Sequence, residues 1–246
     1  MVWIRLAVAL VVGWVLPARE IPVGTVIPIM LGSGLDAAKD EPGKKIEGRV
    51  MQKVPLPAGE AINQRSRIIG HVVKVTKPGS SGSSLVVKFD SLQEDGHTTQ
   101  LTTGLLAVAS AASVADAQAP ISANSDKDPV SLWVTRQVGG DVVRRGWGKV
   151  ASHTGEVGTW LEGTSVMIKL TPNPAAGCPS GPGYDREQAV WIFSSAACGT
   201  YGMNDVKVAG SGGTPPLGEI VLTSNRNVGI RGGSGWMLIV VAESGH

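Results

Sequence analysis

The chain has 246 residues, and its 22 basic and 20 acidic side chains leave a net charge of only +2. This balance argues against a nucleic-acid-binding protein, because binding to phosphates needs an excess of Lys and Arg. The 33 glycines and 15 prolines, about a fifth of the chain, exclude a helical bundle and predict a protein of strands and loops.

The amino terminus predicts export. Residues 6–16 (LAVALVVGWVL) form an uncharged apolar run with the length of a signal-peptide core, which is too short to span a bilayer comfortably. Pro17 ends any helix, and Ala18 offers a small residue for cleavage. We therefore expect residues 1–18 to be a signal peptide, and the mature protein to be periplasmic or associated with the cell surface, without a transmembrane span. A retained anchor or a buried amino-terminal strand is the alternative interpretation.

Residues 19–108 predict a β-barrel-like region, because short apolar runs alternate with turn signals roughly every ten residues. Pro28 lies in the first of these runs. Since proline cannot donate a ladder hydrogen bond, this strand is expected at a sheet edge or at a bulge. Asp95-Gly96 is the strongest hairpin signal in the chain, whereas residues 77–84 (KPGSSGSS) predict a flexible tip. The expected strands are 23–31, 46–54, 67–75, 85–89 and 98–108.

Residues 109–129 differ in kind, because they are rich in Ala and Ser and contain few large side chains. So little apolar surface predicts a linker or an exposed excursion. A single helix over residues 110–117 is the alternative.

Residues 130–246 predict a second β region. It either completes the same barrel or forms a second domain, and the sequence leaves both open. The fold class is therefore all-β: a barrel or sandwich of short, mostly antiparallel strands with long loops rich in Gly and Pro. The expected strands in this region are 132–137, 157–160, 166–170, 189–193, 220–222 and 236–241.

The chain has two cysteines, Cys178 and Cys198. In an exported protein they are most simply one disulfide, which would stabilise the fold by roughly 3 kcal/mol by closing a loop of about 20 residues. A metal pair or a reactive thiol is the rival interpretation, although no histidine lies within about ten residues of either sulfur.

Five tryptophans fall in the second β region. Large rings of this kind usually build a small β core, and that is the first interpretation. The alternative is an exposed aromatic strip that binds a glycan or a peptide. The five residues are Trp133, Trp147, Trp160, Trp191 and Trp236.

No local motif for catalysis, phosphate binding or metal binding is present. The sequence contains no G-x-S-x-G and no G-x-x-x-x-G-K-[ST], and its four histidines are dispersed. We therefore expect no metal and no cofactor. A hydrolase site could be assembled only by the fold, and His71, His97 and Asp90 are the first candidates for it.

Several short motifs resemble one known family. They are residues 24–28 (GTVIP), 41–43 (EPG), 48–50 (GRV) and 64–70 (QRSRIIG), together with the ending 230–233 (IRGG) and the strand after it. The 64–70 motif is similar to Q-G-S-R-hydrophobic-hydrophobic-G, with Arg65 in place of the first Gly. These features resemble the carboxy-terminal β-barrel of the TrbI-like family, the envelope-spanning scaffold of conjugation and type IV secretion channels.

The resemblance implies structural roles for the matching residues and a barrel that catalyses no reaction. The family's hydrophobic two-helix outer-membrane insertion has no counterpart here, so a channel is not implied. The matching residues are Gly24, Thr25, Pro28, Gly43, Gln64, Ser66, Arg67 and Gly70.

The sequence thus predicts a non-enzymatic exported envelope protein, which acts as a structural or protein-interaction module. Edge strands, such as the one that contains Pro28, would recruit envelope proteins by strand addition. A glycan- or peptide-binding module that uses the tryptophan-rich second half is one alternative. An envelope hydrolase is the other.

Overall fold

The structure is a computed structural model, and the description covers most of the chain. Within the described ranges the protein forms twenty strands, one α-helix, α1 (Ala111–Gln118), and one short 3-10 turn (Pro57–Gly59). The described residues are 20–119, 134–140, 142–146, 149–152, 155–160, 166–171, 178–179 and 182–242. The strands are β1 (Val26–Leu31), β2 (Leu35–Asp36), β3 (Lys45–Val50), β4 (Val54–Pro55), β5 (Ala61–Ile62), β6 (Arg67–Gly79), β7 (Gly82–Glu94), β8 (His97–Gln100), β9 (Thr102–Ala109), β10 (Val134–Arg136), β11 (Val142–Gly146), β12 (Lys149–Ser152), β13 (Gly155–Trp160), β14 (Val166–Lys169), β15 (Glu187–Ala189), β16 (Gly199–Tyr201), β17 (Val206–Ser211), β18 (Ile220–Ser224), β19 (Gly229–Ile230) and β20 (Gly235–Ala242).

A ten-stranded sheet curls into a nearly closed, barrel-like body, which confirms the all-β prediction. Its ends approach each other where Ser211 on β17 lies beside Gly104 on β9. Strand pairing in it is antiparallel except for β16, which runs parallel to β9. Strand β8 branches from β7 and pairs with no other described strand. The strand order is β16-β9-β20-β1-β3-β6-β7-β18-β17.

Strands β10 to β15 form a second, antiparallel sheet of six strands in sequence order. Two buried glutamines connect it to the barrel. Gln52, two residues after β3, hydrogen-bonds to the backbone of Val166 on β14. Gln188, on β15, accepts the backbone N–H of Val26 on β1 across 3.2 Å. The second β region therefore contributes strands both to the barrel and to a separate sheet.

The core consists of aliphatic and aromatic side chains that fill the barrel. Strand β3 shows why: its residues alternate, with Ile46 and Val50 buried and Lys45 and Arg49 exposed, as a strand with one buried face requires. The largest ring inside is the fully buried Trp236, which packs edge-to-face on Phe89 at a centroid distance of 5.4 Å. A second apolar cluster lies between the barrel and the six-stranded sheet.

The prediction that Pro28 marks an edge strand or a bulge is wrong. Strand β1 lies between β20 and β3, and its registers with both are regular. Pro28 is tolerated because pairing with β3 ends beside it. Its carbonyl still accepts the N–H of Met51, while the carbonyl of Met51 is hydrogen-bonded by the side chain of Gln64. The donor that proline lacks is thus not needed there.

Residues 111–118 form helix α1, as the alternative interpretation of the Ala/Ser-rich segment expects, and not an irregular linker. Ser110 caps the helix by accepting a backbone N–H with its hydroxyl, and Val114 and Ala117 are buried. Residues 120–129 lie outside the described residues. In the described part of the chain, no helix combines the length and apolar character needed to cross a membrane.

Other elements differ from the sequence-based expectations in length and number. Strands β6 and β7 extend so far that only Ser80 and Ser81 separate them, so the predicted tip at residues 77–84 is mostly strand. Strands β11, β12, β16 and β17 are not among the expected strands. They are short or rich in Gly and polar residues, so apolar alternation is absent from them or, in β17, limited to Val206, Lys207 and Val208.

The predicted disulfide is confirmed. Cys178 and Cys198 are bonded, with their Cα atoms 6.0 Å apart. Both cysteines of the chain are used, so no free thiol is left for metal binding or redox chemistry.

Candidate functional site

A polar groove of about 550 Å³ opens at one end of the barrel. Residues 63–67, which lead into β6, form one wall, and residues 93–98, the hairpin between β7 and β8, form the other. Strand β6 begins and β7 ends there, because the two strands are antiparallel and Arg67 is paired with Gln93. The pairing of β6 with β7 thus places two distant segments of sequence opposite each other.

The first wall is a β-turn over residues 63–66. The N–H of Ser66 donates to the carbonyl of Asn63 across 3.3 Å, and the N–H of Arg65 donates to Val50 across 2.8 Å. Arg65 has φ of +77°, and Gln64 is not among the residues with positive φ. A positive φ at the third position alone defines a type II turn, which favours Gly there. Placing a residue with a Cβ in this conformation costs about 1–2 kcal/mol.

Side chains brace this turn from both sides. The Glu94 Oε1 atom accepts the hydroxyl of Ser66 across 2.8 Å and the backbone N–H of Asn63 across 2.5 Å. On the other side, Gln64 donates to the carbonyl of Met51 across 3.0 Å. Glu94 therefore ties one wall of the groove to the other, and the groove has a fixed shape.

The second wall is the hairpin that Asp95-Gly96 predicts, and this prediction is confirmed. Both residues have positive φ, +49° and +80°, as a type I′ turn requires. The flanking residues Glu94 and His97 are directly paired.

The charged groups of the groove are not equivalent. The carboxylate of Glu94 accepts hydrogen bonds from Asn63 and Ser66 inside the groove, and Asp95 lies at the hairpin tip. Arg67 is 3.8 Å from the carboxylate of Glu47, with both side chains about half exposed. Arg65 is exposed and makes no ion pair or side-chain hydrogen bond with a described residue. The turn side of the groove therefore holds two arginines beside the carboxylate of Glu94, which keeps its negative charge because both of its hydrogen-bond donors there are neutral.

The matching residues of the family resemblance are not all in this groove. Gln64, Ser66 and Arg67 lie there. Gly70 is paired within β6 and β7, where a Cβ would lie 1.9 Å from the carbonyl oxygen of Lys88. The others occupy separate turns and strands of the barrel, namely Gly24, Thr25, Pro28 and Gly43.

The three residues proposed for hydrolysis are only partly brought together. Asp90 lies at an irregularity in the pairing of β6 with β7, and its Oδ2 is 2.8 Å from Nδ1 of His71. Both side chains are on the surface, 39% and 44% exposed. No described hydroxyl or thiol hydrogen-bonds to His71. His97 is at the groove, paired with Glu94. Because Glu94 is four residues beyond Asp90, His97 lies roughly 13 Å from Asp90 along the strand direction. The pair lacks the nucleophile that a hydrolase triad needs.

Two of the five tryptophans belong to the core. Trp191 and Trp236 are 2% and 0% exposed and therefore cannot be members of an exposed aromatic strip. Trp133 and Trp147 lie outside the described residues, as does the side chain of Trp160.

Sequence reasoning missed the role of Glu94. Its position beside Asp95 indicates only a solvated acidic pair in a turn. Its contacts with Asn63 and Ser66 depend on the register of β6 with β7, which no local pattern reveals. The one available signal is the Asp-Gly turn, which places Glu94 at the end of a strand.

Among the described residues, no group of three or more His, Cys, Asp and Glu side chains could hold a metal ion. Comparison of the chain with protein-family models, with curated proteins and with solved structures gives no match. The groove's own geometry must therefore support any functional conclusion.

Proposed function

We propose that this protein is a non-enzymatic exported protein of the cell envelope, which acts as a structural and protein-interaction module. The observation that carries the proposal is the braced polar groove at the end of a barrel filled with side chains. A surface of fixed shape loses little conformational entropy when a partner binds, and therefore suits recognition.

Strand addition is the mode of binding that the local geometry favours. Strand β8 forms one side of the groove and pairs with β7 alone among the described strands. Thr98, in the middle of this short strand, is exposed. A partner segment could extend the sheet along the edge of β8 that faces away from β7, and this edge replaces the Pro28 strand, which lies inside the sheet.

The likeness to the TrbI-like barrel belongs to this proposal. It is supported at Arg65, where the family pattern has Gly, because the backbone at this residue has the φ that Gly prefers. It is supported also by Gly70, which a close backbone approach requires to lack a side chain.

Export is the second part of the proposal. Residues 1–18 would be removed as a signal peptide, and the disulfide is compatible with an oxidising compartment. Fractionation of cells that express the full chain should place the protein outside the cytoplasm, with Arg19 at its amino terminus. Recovery of the uncleaved chain in the cytoplasm would contradict this part.

Site-specific photo-crosslinking tests the interaction. A photoreactive residue at Thr98 should capture one discrete envelope protein. The same residue at the exposed Lys207 on β17 should not. Equal products at both positions, or none at Thr98, would count against the groove as a partner site.

A further inference from the structure

The barrel has a seam that no ladder of hydrogen bonds closes. Strand β17 is the neighbour of β9 and β16 there, but in the part of the chain that the structure describes no backbone hydrogen bond joins it to either strand. The backbones of the strands touch instead: a Cβ on Gly104 of β9 would lie 2.7 Å from the carbonyl oxygen of Ser211 on β17. Because an unpaired stretch opens more easily than a ladder, contacts from other segments matter for keeping the seam closed.

A short segment crosses this seam, and we call its described residues, 178–179 and 182–184, the strap. The ring of the buried Pro179 lies against both sides of the seam. It is 3.4 Å from the position of a Cβ on Gly104 and 3.2 Å from that of a Cβ on Gly213, two residues after β17. Pro179 also lines a small cavity of about 80 Å³ together with Ile239 of β20. Pro179 thus covers the seam.

One half of the strap is fixed to the rest of the protein without the disulfide. The carbonyl of Pro182 packs so closely on Gly24, two residues before β1, that no Cβ fits there. The carbonyl of Gly183 accepts a hydrogen bond from Nε2 of the buried Gln188 across 2.7 Å. We therefore expect residues 182–184 to stay in place whether or not the disulfide is formed.

The other half, which contains Pro179, depends on the disulfide. The hydroxyl of Tyr184 donates to the carbonyl of Pro179, which ties the strap only to itself. The Sγ atom of Cys178 is 3.4 Å from the carbonyl oxygen of Leu106 on β9, but a disulfide sulfur has no proton to donate. Among the described residues, the bond to Cys198, which directly precedes β16, is thus the one covalent or hydrogen-bonded link between this half and the seam.

We propose that this disulfide is a redox-sensitive lock, which holds the strap over the seam, and that its reduction releases Pro179 while the barrel stays folded. The strap contributes no strand, and neither cysteine belongs to the apolar core of the barrel. Release uncovers the edge of β9 beside Gly104, where no described strand pairs on the β17 side. The inference goes beyond the proposed function, because it concerns the seam and not the groove.

Reduction needs an external dithiol, because the chain has no free thiol. Both cysteines are partly exposed, so a reductant can reach them. The thiolate of the dithiol attacks one sulfur and breaks the bond between Cys178 and Cys198, which gives a mixed disulfide and one protein thiolate. The second thiol of the reductant then displaces the other cysteine. The reductant ends as a disulfide, and its two electrons and two protons end on the two cysteines.

Hydroxyl-radical footprinting read by mass spectrometry tests the release. It compares the oxidised wild type with the double variant Cys178→Ser and Cys198→Ser, both without reductant. Labelling of Pro179 and Ile239, which are buried in the closed form, should rise severalfold in the variant. Labelling of Phe89, inside the barrel, should not change. No rise at Pro179 and Ile239, or an equal rise at Phe89, would overturn the inference.

The lock can also be tested without a cysteine variant. If the closed strap and the disulfide stabilise each other, crowding the strap must favour reduction of the disulfide. Gly213→Ala places a Cβ 3.2 Å from Pro179, at a position without a left-handed φ, and should need severalfold less dithiothreitol for half-reduction than the wild type. Gly79→Ala, whose Cβ meets nothing within 4 Å, should match the wild type. The same midpoint for both glycine variants would overturn the coupling, even if the double cysteine variant does not fold.

Discussion

Gln52 offers the sharpest test of how the two sheets are held together. It lies just after β3, is fully buried, and reaches into the six-stranded sheet and the loop after it. Its Nε2 donates to the carbonyl of Val166 across 2.8 Å, and its Oε1 accepts the N–H of Trp191 across 2.8 Å. The side-chain amide supplies both the donor for Val166 and the acceptor for Trp191.

The substitution Gln52→Leu keeps a side chain of similar size but removes the amide N–H that bonds to Val166 and the amide oxygen that bonds to Trp191. The N–H of Trp191 would then be buried without a hydrogen bond, at about 1–3 kcal/mol, whereas the carbonyl of Val166 would keep the N–H of Val190 at 3.3 Å. Burial of the leucine offsets part of this loss, and the weaker bonding of Val166 adds to it, so the free energy of unfolding should fall by about 1–3 kcal/mol. That is a large share of the roughly 5–15 kcal/mol typical of a folded protein.

Urea unfolding followed by tryptophan fluorescence measures this difference. The matched control is Gln118→Leu, at the exposed end of α1, which should change stability by less than about 0.5 kcal/mol. Hydrogen exchange should also accelerate at the amide of Trp191, which has φ of +50° and is held by Gln52. If Gln52→Leu unfolds at the same urea concentration as the control, the two glutamine bonds are not what couples the sheets.

Three further predictions concern the fold. Reduction of the disulfide should lower the free energy of unfolding by about 3 kcal/mol, since a constraint between residues 20 apart in sequence is lost; equal urea midpoints with and without reductant would contradict this. Gly43→Ala should lower the free energy of unfolding by about 1 kcal/mol, because φ is +87° there; an added Cβ meets nothing within 4 Å, so a clash is not the cause. Gly79→Ala, with equally open space and no left-handed φ, should cause no loss in the same urea assay. Equal losses in the two variants would show that backbone strain is not the cause. The Asn227 amide donates to Asp36 across 2.8 Å and lowers the pKa of that carboxyl from its ordinary value of 3.8. Because the folded-state pKa lies below the unfolded-state value, the stabilisation is present at neutral pH and is lost as the pH falls through the folded-state pKa. Asn227→Ala should therefore destabilise the protein more at pH 7 than at pH 3, and a pH-independent loss would argue against the linkage.

Features set by a few neighbouring residues could be predicted from the sequence. The type I′ hairpin at Asp95-Gly96 is one, because both central positions need a positive φ and these two residues accept it. The apolar alternation in β3 is another. The disulfide follows from there being only two cysteines and from the expected compartment.

Features that depend on pairing between distant segments could not be predicted. A proline removes a donor, and for that reason alone Pro28 is expected at an edge. Whether that donor is needed depends on where β3 ends and on a side chain from residue 64. In the same way, the buried hydrogen bonds of Gln52 join residues more than a hundred positions apart. Nothing in the residues around Gln52 signals those contacts.

Two turns of the same type differ in how far the sequence predicts them. In the turn over residues 41–44, the N–H of Lys44 donates to Glu41, and Gly43 supplies φ of +87°. In the turn over residues 63–66, the equivalent position has φ of +77° and is Arg65. Pro and Gly make the 41–44 turn predictable, whereas the 63–66 turn has Gln64 and Arg65 at its central positions and neither Pro nor Gly. The barrel needs the 63–66 turn only as a turn, since its stabilising bonds come from its backbone and from Gln64 and Ser66. An arginine there is a departure from the residue that the backbone favours, so a search for glycine at turn positions does not find this turn.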